Sequence, residues 1–252
     1  MFTLGALAVG VVAAYLVGVS KTALPGAALV ATPLIATVVS GREIPGTTLP
    51  ILITADLFAV AWYHQHARWD LLRGVFWPVA LGFAAGVWFF IAIGSSTRIL
   101  DVVIGAIILL MITLQVIRLA RRTPPGAATT TGAVMYGTAG GFTTFVSNTA
   151  GPVMNTYLVG LGLDKHQLIG TSAWFYFVVN VAKIPLYLGL GAWSDGGAFF
   201  TAEGMAYAGL LVPAVIAGVY SGRRLFPHIP QRLFLVIVLV MAGLGALRLL
   251  LP

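Results

Sequence analysis

A polar, helix-breaking stretch interrupts a long apolar run near the start of the chain. Residues 4–39 are mostly apolar, but Ser20, Lys21 and Thr22 are followed closely by Pro25 and Gly26. A lysine at bilayer depth costs about 2.5 to 3.5 kcal/mol on insertion scales, so it should face protein, water or an anion rather than lipid. Irregular backbone at that depth is tolerated only where it is buried in protein or lines a cavity. The stretch at 18–26 is therefore a candidate substrate pocket inside a membrane. Because proline favours the first position of a helix, we expect a second helix to begin near Pro25 and to point its free amides at Lys21.

The amino-acid composition supports a membrane protein rather than a soluble one. Of the 252 residues, 59% are hydrophobic and only 8% are charged, whereas soluble domains carry about 25% charged residues. The chain has no cysteine, so neither a disulfide framework nor a thiolate metal site is available. The net charge of +7 is therefore read by position, as a signal of membrane orientation rather than of nucleic-acid binding.

A second interruption of the same kind lies in the other half of the chain. Residues 143–152 contain Ser147, Asn148, Thr149, Gly151 and Pro152 inside another apolar run. Three further matches keep the same order in both halves: residues 44–48 with 168–172, residues 82–86 with 218–222, and residues 98–100 with 232–234. Matches in a common order indicate an internal repeat.

The repeat predicts the architecture of the molecule. Five apolar segments occur in each half, at 3–19, 25–39, 46–63, 74–93 and 99–117, and at 133–146, 151–163, 168–190, 204–221 and 233–251. An odd number per half turns the second repeat upside down relative to the first. We predict one all-α integral membrane domain with two inverted-topology repeats, at 1–120 and 132–252, joined by a linker at 121–131.

The first two segments of each half are short for full membrane spans, which need about 20 residues. They form either a re-entrant helical hairpin or two short full spans, and segment length favours the hairpin. Three transmembrane helices then follow the broken hairpin in each repeat. In this arrangement the tips of the two hairpins, at 20–26 and 147–152, would meet near the middle of the membrane, where many secondary transporters hold their substrate.

The positions of the basic residues predict the orientation. If each broken segment returns the chain to the side it entered from, the linker side holds nine basic residues and the opposite side three. The nine are Arg68, Arg73, Arg118, Arg121, Arg122, Lys165, Arg223, Arg224 and Arg232, and the three are Arg42, Arg98 and Arg248. If each broken segment crossed once, the split would be six to six. Cytoplasmic loops carry the excess of Lys and Arg, so we predict a cytoplasmic linker and external termini.

The motif Gly-x-Ser-Lys-Thr-x-x-Pro-Gly at 18–26, its degenerate partner with Asn148 and Pro152, and the two Gly-Thr-Thr/Ser helix starts resemble the sulfite exporter TauE/SafE family, also called toluene sulfonate uptake permeases. The resemblance covers essentially the whole chain, and residues 18–26 are its most specific part. It implies transport of sulfite, organosulfonates or related small sulfur-containing or organic anions. The second motif has Asn148 where the first has Lys21, so the halves cannot contribute equal charge.

The interruptions supply the candidate substrate-binding residues. These are Ser20, Lys21, Thr22, Pro25, Gly26, Ser147, Asn148, Thr149 and Gly151. An ammonium group and free helix amides both favour negative charge, so Lys21 is predicted to bind an anion; the alternative is that it snorkels to the interface. The hydroxyl and amide side chains either donate hydrogen bonds to substrate oxygens or cap the helix ends. The proline and the glycines shape the site.

Three polar residues in the middle of predicted spans form a second group of candidates. Asp56 and Lys183 are ionisable, and a shift of 124 places Asp56 on Asn180. Ionisable groups inside a membrane are functional by default and have partners. We expect Asp56 to be the proton-coupling residue, without an obligatory fixed partner, and to pair with Lys183 directly or through water. The alternative is a structural ion pair between the halves.

These observations predict a secondary carrier of small anions with alternating access, and leave an anion channel or an uncoupled facilitator as the alternative. An enzyme is not expected, because all four histidines fall in predicted loops, and no phosphate-binding loop for an ATP-driven pump occurs. The histidines at 64 and 66 lack further metal ligands. We expect no cofactor, no metal and no nucleic acid. The expected partners are a small anion, the lipid bilayer of the prokaryotic inner or plasma membrane and, in a coupled carrier, protons; a homo-oligomer is left open.

Overall fold

The computed structural model describes residues 2–39, 43–92, 129–193 and 198–250, together with residues 106, 110, 113 and 117. Within these residues the regular structure is helical and contains no strand. The α-helices are α1 (Leu4–Thr22), α2 (Ala31–Ile35), α3 (Glu43–Tyr63), α4 (Trp69–Ala92), α5 (Thr130–Ser147), α6 (Ala150–Gly160), α7 (Lys165–Trp193), α8 (Ala202–Leu225) and α9 (Gln231–Leu250). Short 3-10 helices lie at Ala27–Val30, His64–His66 and Phe226–His228. Most of the predicted span at 99–117 and of the linker at 121–131 lies outside the described residues.

Five helical segments of the described chain are long and apolar enough to cross a membrane. They are Leu4–Thr22, Glu43–His66, Trp69–Phe89, Lys165–Trp193 and Ala202–His228. Their number and composition confirm the predicted all-α membrane protein.

The first interruption differs from its prediction. Helix α1 continues through Ser20, Lys21 and Thr22 and ends at Ala23, whose amide donates to the Val19 carbonyl, 2.9 Å away. The same turn packs on α8, where the Thr22 hydroxyl lies 3.2 Å from the Val219 carbonyl oxygen. A second helical segment begins near Pro25, as predicted, but it starts at Ala27 as the 3-10 helix Ala27–Val30 and continues into α2.

The backbone after Pro25 takes a turn that a helix cannot contain. Gly26 has a φ of 110°, a left-handed conformation that glycine adopts at little cost. Its amide donates to the Ser20 hydroxyl oxygen, 3.3 Å away, and the Ala27 amide donates to the Leu24 carbonyl. These amides are therefore not the free helix amides that the sequence led us to expect beside Lys21.

The second interruption is a sharper break. Only Asn148 and Thr149 separate α5 from α6, and Asn148 has a left-handed φ of 58°, which asparagine tolerates better than most residues. Helix α6 has 11 residues, so at 1.5 Å per residue it extends about 16 Å, too little to cross a bilayer core about 30 Å thick. In contrast, α1 with 19 residues and α5 with 18 are close to span length. The sequence predicts that both segments of each hairpin are short. For the first segment of each hairpin this is wrong, because α1 and α5 extend beyond the apolar runs.

Glycines allow two pairs of helices to pack at very short distance. A Cβ atom at Gly218 of α8 would lie 2.1 Å from the Tyr15 carbonyl oxygen of α1, and a Cβ atom at Gly82 of α4 would lie 2.2 Å from the Thr138 carbonyl oxygen of α5. Small residues permit such approach between membrane helices. In each contact, the first helix of one half packs on the fourth apolar segment of the other half, which is the reciprocal packing expected of a repeat.

Basic residues from three connections gather at one end of the bundle. The Arg68 amide donates to the Thr171 hydroxyl (3.0 Å), the Lys165 ammonium donates to the Ile229 carbonyl (2.7 Å), and the Arg223 guanidinium lies 4.3 Å from the centre of the Trp62 ring. At the opposite end, the Tyr207 hydroxyl near the start of α8 donates to the Ala6 carbonyl near the start of α1. The sequence places Arg68, Lys165 and Arg223 on the same predicted cytoplasmic side.

Candidate functional site

The two interruptions meet at a common cavity of about 60 Å³. One wall comes from the end of α1 and the turn after it, and the other from the α5–α6 break. Helices α3 and α7 close the remaining sides. Both halves of the chain therefore contribute to one site, as the paired interruptions predict.

Lys21 reaches from the last turn of α1 to a buried acid on α3. Its ammonium lies 2.8 Å from the Asp56 Oδ1 atom and 3.9 Å from the centre of the Tyr176 ring. The other carboxylate oxygen of Asp56 accepts a hydrogen bond of 2.6 Å from the Asn180 side-chain amide. Asp56 is fully buried, so this bond ties the two halves together in the interior. A cation in the last turn also complements the negative end of the helix dipole.

Lys183 is a second buried lysine, and it lies behind the other hairpin tip. Its ammonium donates to the side-chain oxygen of Asn148, and the backbone and hydroxyl oxygens of Thr144 each lie 3.3 Å away. The Asn148 side-chain amide in turn donates to the Pro45 carbonyl. These partners are neutral, and no carboxylate of the described residues forms an ion pair with Lys183. The Lys183 nitrogen is therefore surrounded by neutral oxygens and contacts no carboxylate of the described residues.

The start of α6 adds positive potential to the same place. Thr149, which precedes the helix, makes no side-chain capping bond, and both Thr149 and Gly151 line the cavity. The first amides of a helix have no partner within it and favour negative charge. The predicted combination of a lysine and a helix N-terminus is therefore present, but the helix start belongs to the second half of the chain.

A model of the sulfite exporter TauE/SafE family matches residues 8–249 of the chain. The chain belongs to the sulfite exporter TauE/SafE family. Searches of curated proteins and of solved structures return no match. The family consists of membrane transporters rather than enzymes, which confirms the predicted class and, with five candidate spans, a multi-pass protein of the cell membrane.

In this TauE/SafE family member, most of the predicted binding residues line the cavity. They are Ser20, Lys21, Pro25, Gly26, Asn148, Thr149 and Gly151, together with Asn180 from the central group. Two others do not line it: the Thr22 hydroxyl is 3.2 Å from the Val219 carbonyl oxygen, and the Ser147 hydroxyl lies 3.2 Å from the Thr143 carbonyl oxygen and 2.6 Å from the hydroxyl of the lining residue Thr149. Both hydroxyls therefore have backbone partners.

Asp56 and Lys183 stand behind the residues that line the cavity. They contact those lining residues, Asp56 through Lys21 and Asn180, and Lys183 through Asn148. The expectation that Asp56 has no fixed partner is wrong, because the ammonium and the amide hold both of its oxygens. Among the described residues the ion pair of Asp56 is with Lys21 and not directly with Lys183; the water-mediated pair with Lys183 stays a prediction.

The sequence analysis missed several polar residues of the cavity wall. Thr144, Asn155, Ser172 and Tyr176 line it, and the Ser172 hydroxyl donates to the Asn155 side-chain oxygen (3.2 Å). A signal for two of them was present, because Ser172 and Tyr176 precede Asn180 by eight and four residues. Residues four apart share a helix face. Once Asn180 is assigned to the centre of the molecule, Tyr176 and Ser172 are therefore expected to face the cavity as well.

Proposed function

We propose that this family member is a secondary carrier of small anions such as sulfite, organosulfonates or related sulfur-containing or organic anions. The cavity between the two hairpin tips is the proposed substrate site. Ser20, Lys21, Asn148 and Thr149 are the proposed polar ligands, and Pro25, Gly26 and Gly151 leave the space for the anion. In this proposal Thr22 and Ser147 act indirectly, by holding the helix ends that carry Lys21 and Asn148.

The observation that carries the proposal is the charge of the buried cluster. In this proposal Lys21 and Lys183 are both protonated when substrate binds, while Asp56 is the one carboxylate that contacts either of them among the described residues. A buried charge without a counter-ion is costly. An anion in the cavity would supply the missing charge, which favours anions over neutral solutes and over cations.

The size of the cavity favours a small substrate. A cavity needs about 10 to 15 Å³ to hold one water molecule. A cavity of about 60 Å³ therefore has room for about four to six water molecules. Sulfite has four heavy atoms and fits this space, whereas a larger organosulfonate requires the hairpin tips to separate.

Titration of the detergent-purified protein with sulfite, methanesulfonate, acetate and chloride tests the proposal. We expect saturable binding of the oxyanions by the wild type. Lys183→Gln keeps hydrogen-bond donors but removes the uncompensated charge, so it should weaken binding by about tenfold or more, the equivalent of one charge-assisted hydrogen bond.

Lys165→Gln is the matched control. Its ammonium also donates to backbone carbonyls, those of Phe226 and Ile229, but these partners do not line the cavity, whereas Asn148, the partner of Lys183, does. We expect this variant to bind anions as the wild type does. A wild-type protein that binds none of the four anions would contradict the carrier proposal. Equal affinity of the wild type and Lys183→Gln would show that the charge of Lys183 does not contribute to anion binding.

The contact between Lys21 and Asp56 offers a route to proton coupling. A deprotonated Asp56 neutralises the ammonium that faces the cavity, whereas a protonated carboxyl would leave that ammonium for the substrate. Proton uptake and anion binding would then favour each other, as co-transport requires. The alternative, an anion channel or uncoupled facilitator, would use the same cavity but would show conductance that does not saturate, and flux measurements in proteoliposomes distinguish the two.

A further inference from the structure

The hydroxyl group of Tyr176 is buried at the cavity without a partner. Tyr176 is 8% exposed and lines the cavity, and its hydroxyl oxygen makes no hydrogen bond in the structure. Gly151 lies in the first turn of α6, and a Cβ atom built there would lie 3.9 Å from the Tyr176 hydroxyl oxygen. The hydroxyl therefore faces the start of α6. Buried hydroxyl groups are normally paired, and an unpaired one at a cavity indicates a ligand that is absent.

The position of Tyr176 is fixed from its other side. The ammonium of Lys21 lies 3.9 Å from the centre of the ring, a distance at which a cation is attracted to an aromatic face. The ring of Phe175 packs edge-on, with the ring centres 5.2 Å apart. The ring is therefore held by its neighbours while the hydroxyl is free to donate.

The equivalent position in the first half is apolar. The shift of 124 that places Asp56 on Asn180 places Leu52 on Tyr176, and both residues line the cavity. The repeat thus positions two side chains on the site, but only the second half provides a donor there. At this pair of positions α7 provides a hydroxyl group and α3 provides a hydrocarbon side chain.

We propose that Tyr176 is a substrate ligand whose hydroxyl donates a hydrogen bond to one oxygen of the bound oxyanion, in the cavity that Lys21 also lines. This assignment rests on the proposed function of the cavity and adds to it a second, uncharged donor from α7. The substrate it describes is an anion that presents one oxygen to α7 and can direct a small apolar substituent towards Leu52.

Tyr176→Phe removes the hydroxyl and keeps the ring under Lys21. We expect this variant to bind sulfite about tenfold or more weakly than the wild type in calorimetric titration, because a hydrogen bond to a charged group is lost. The thermal midpoint of the anion-free protein should not fall, since the hydroxyl has no partner to lose, whereas the rise in midpoint on adding sulfite should shrink.

Thr156→Val is the matched control. The Thr156 hydroxyl is also fully buried and unpartnered, but it does not line the cavity, so its removal should leave the affinity for sulfite unchanged. Equal affinity in the wild type and Tyr176→Phe would overturn the assignment of Tyr176 alone. A lower thermal midpoint of anion-free Tyr176→Phe would overturn it too, because the hydroxyl would then have a structural partner. Absence of saturable sulfite binding by the wild type would instead overturn the proposed function itself.

Discussion

At the scale of residues, the chemistry of this protein depends on which charges are compensated. The ammonium of Lys21 is paired with Asp56 at 2.8 Å, so in this conformation its charge is largely cancelled. The ammonium of Lys183 has only neutral oxygens around it in the described structure. In the proposed anion site, Lys183 acts through Asn148, which lines the cavity and accepts a hydrogen bond from Lys183 at its side-chain oxygen.

Replacing Asp56 with asparagine tests the coupling proposal. Asp56→Asn leaves both lysines uncompensated, so we expect tighter anion binding than in the wild type and loss of the dependence of flux on a pH gradient. Asparagine already occupies the pseudo-equivalent position 180, and it can still accept a bond from Lys21. The measurement is sulfite uptake into proteoliposomes with and without a pH gradient, together with a binding titration.

The outcome separates two roles of the carboxylate. Unchanged pH-driven flux in Asp56→Asn would exclude Asp56 from coupling. A variant that fails to fold would instead favour a purely structural ion pair, since breaking a buried pair costs about 3 to 5 kcal/mol.

At the scale of elements, glycines set how closely the first helix of each half approaches its partner. Helices α1 and α8 touch through Gly218 and Gly18, and a Cβ atom at Gly18 would lie 2.4 Å from the Val215 carbonyl oxygen. The same contact places the last turn of α1, which carries Lys21, against α8. Packing of these two helices therefore fixes the position of Lys21 at the cavity.

Alanine at Gly218 should separate α1 from α8. Its methyl group would be 2.1 Å from the Tyr15 carbonyl oxygen, a clash that backbone must relieve, and overpacking of this kind costs about 1 to 3 kcal/mol. We expect a lower thermal midpoint and weaker anion binding, because Lys21 moves with α1. Thermal unfolding followed by intrinsic fluorescence measures the first effect.

Gly209→Ala in the same helix is the control. No atom lies within 4 Å of a Cβ atom built there, so alanine should be neutral or slightly stabilising, since it favours helix over glycine. If the two alanine variants had equal thermal midpoints, close approach at Gly218 would not be needed for the fold.

At the scale of the whole molecule, the contacts between helix ends support the predicted orientation. Arg68, Lys165 and Arg223 lie at one end of the bundle, and the starts of α1 and α8 lie at the other. Because the excess of Lys and Arg faces the cytoplasm, the first end should be cytoplasmic. Inverted topology of the two halves remains a prediction, which the reciprocal packing of α1 on α8 and of α4 on α5 supports.

Cysteine labelling tests this orientation directly, because the natural chain has no cysteine. Gln65, in the turn before Arg68, and Ala202, at the start of α8, are both exposed. With an impermeant thiol reagent on intact cells, we expect Ala202→Cys to be labelled and Gln65→Cys to react only after permeabilisation. The reverse pattern would overturn the orientation.

The sequence by itself determined the class of the molecule and half of the residues that line its cavity. Long apolar segments with few charges require a membrane, and polar breaks within them require a cavity or protein surroundings, so Lys21, Asn148 and Gly151 could be assigned from local chemistry alone. The repeat placed Asp56 opposite Asn180, and the structure brings them within 2.6 Å of each other. These inferences succeeded because each follows from the cost of placing polar groups in hydrocarbon, which does not depend on the details of packing.

Only the tertiary structure decided where the helices end and which charges pair. The last turn of α1 extends to Thr22, where it packs on α8. The turn at Gly26 is held by the hydrogen bond from its amide to the Ser20 hydroxyl oxygen. Both contacts depend on how the chain is folded around the break. Lys21 rather than Lys183 faces Asp56, although the sequence places a lysine three residues from the asparagine that matches Asp56. Partner choice among buried charges is set by distances of a few ångströms between helices, and those distances follow from how the helices pack, which the hydropathy pattern does not specify.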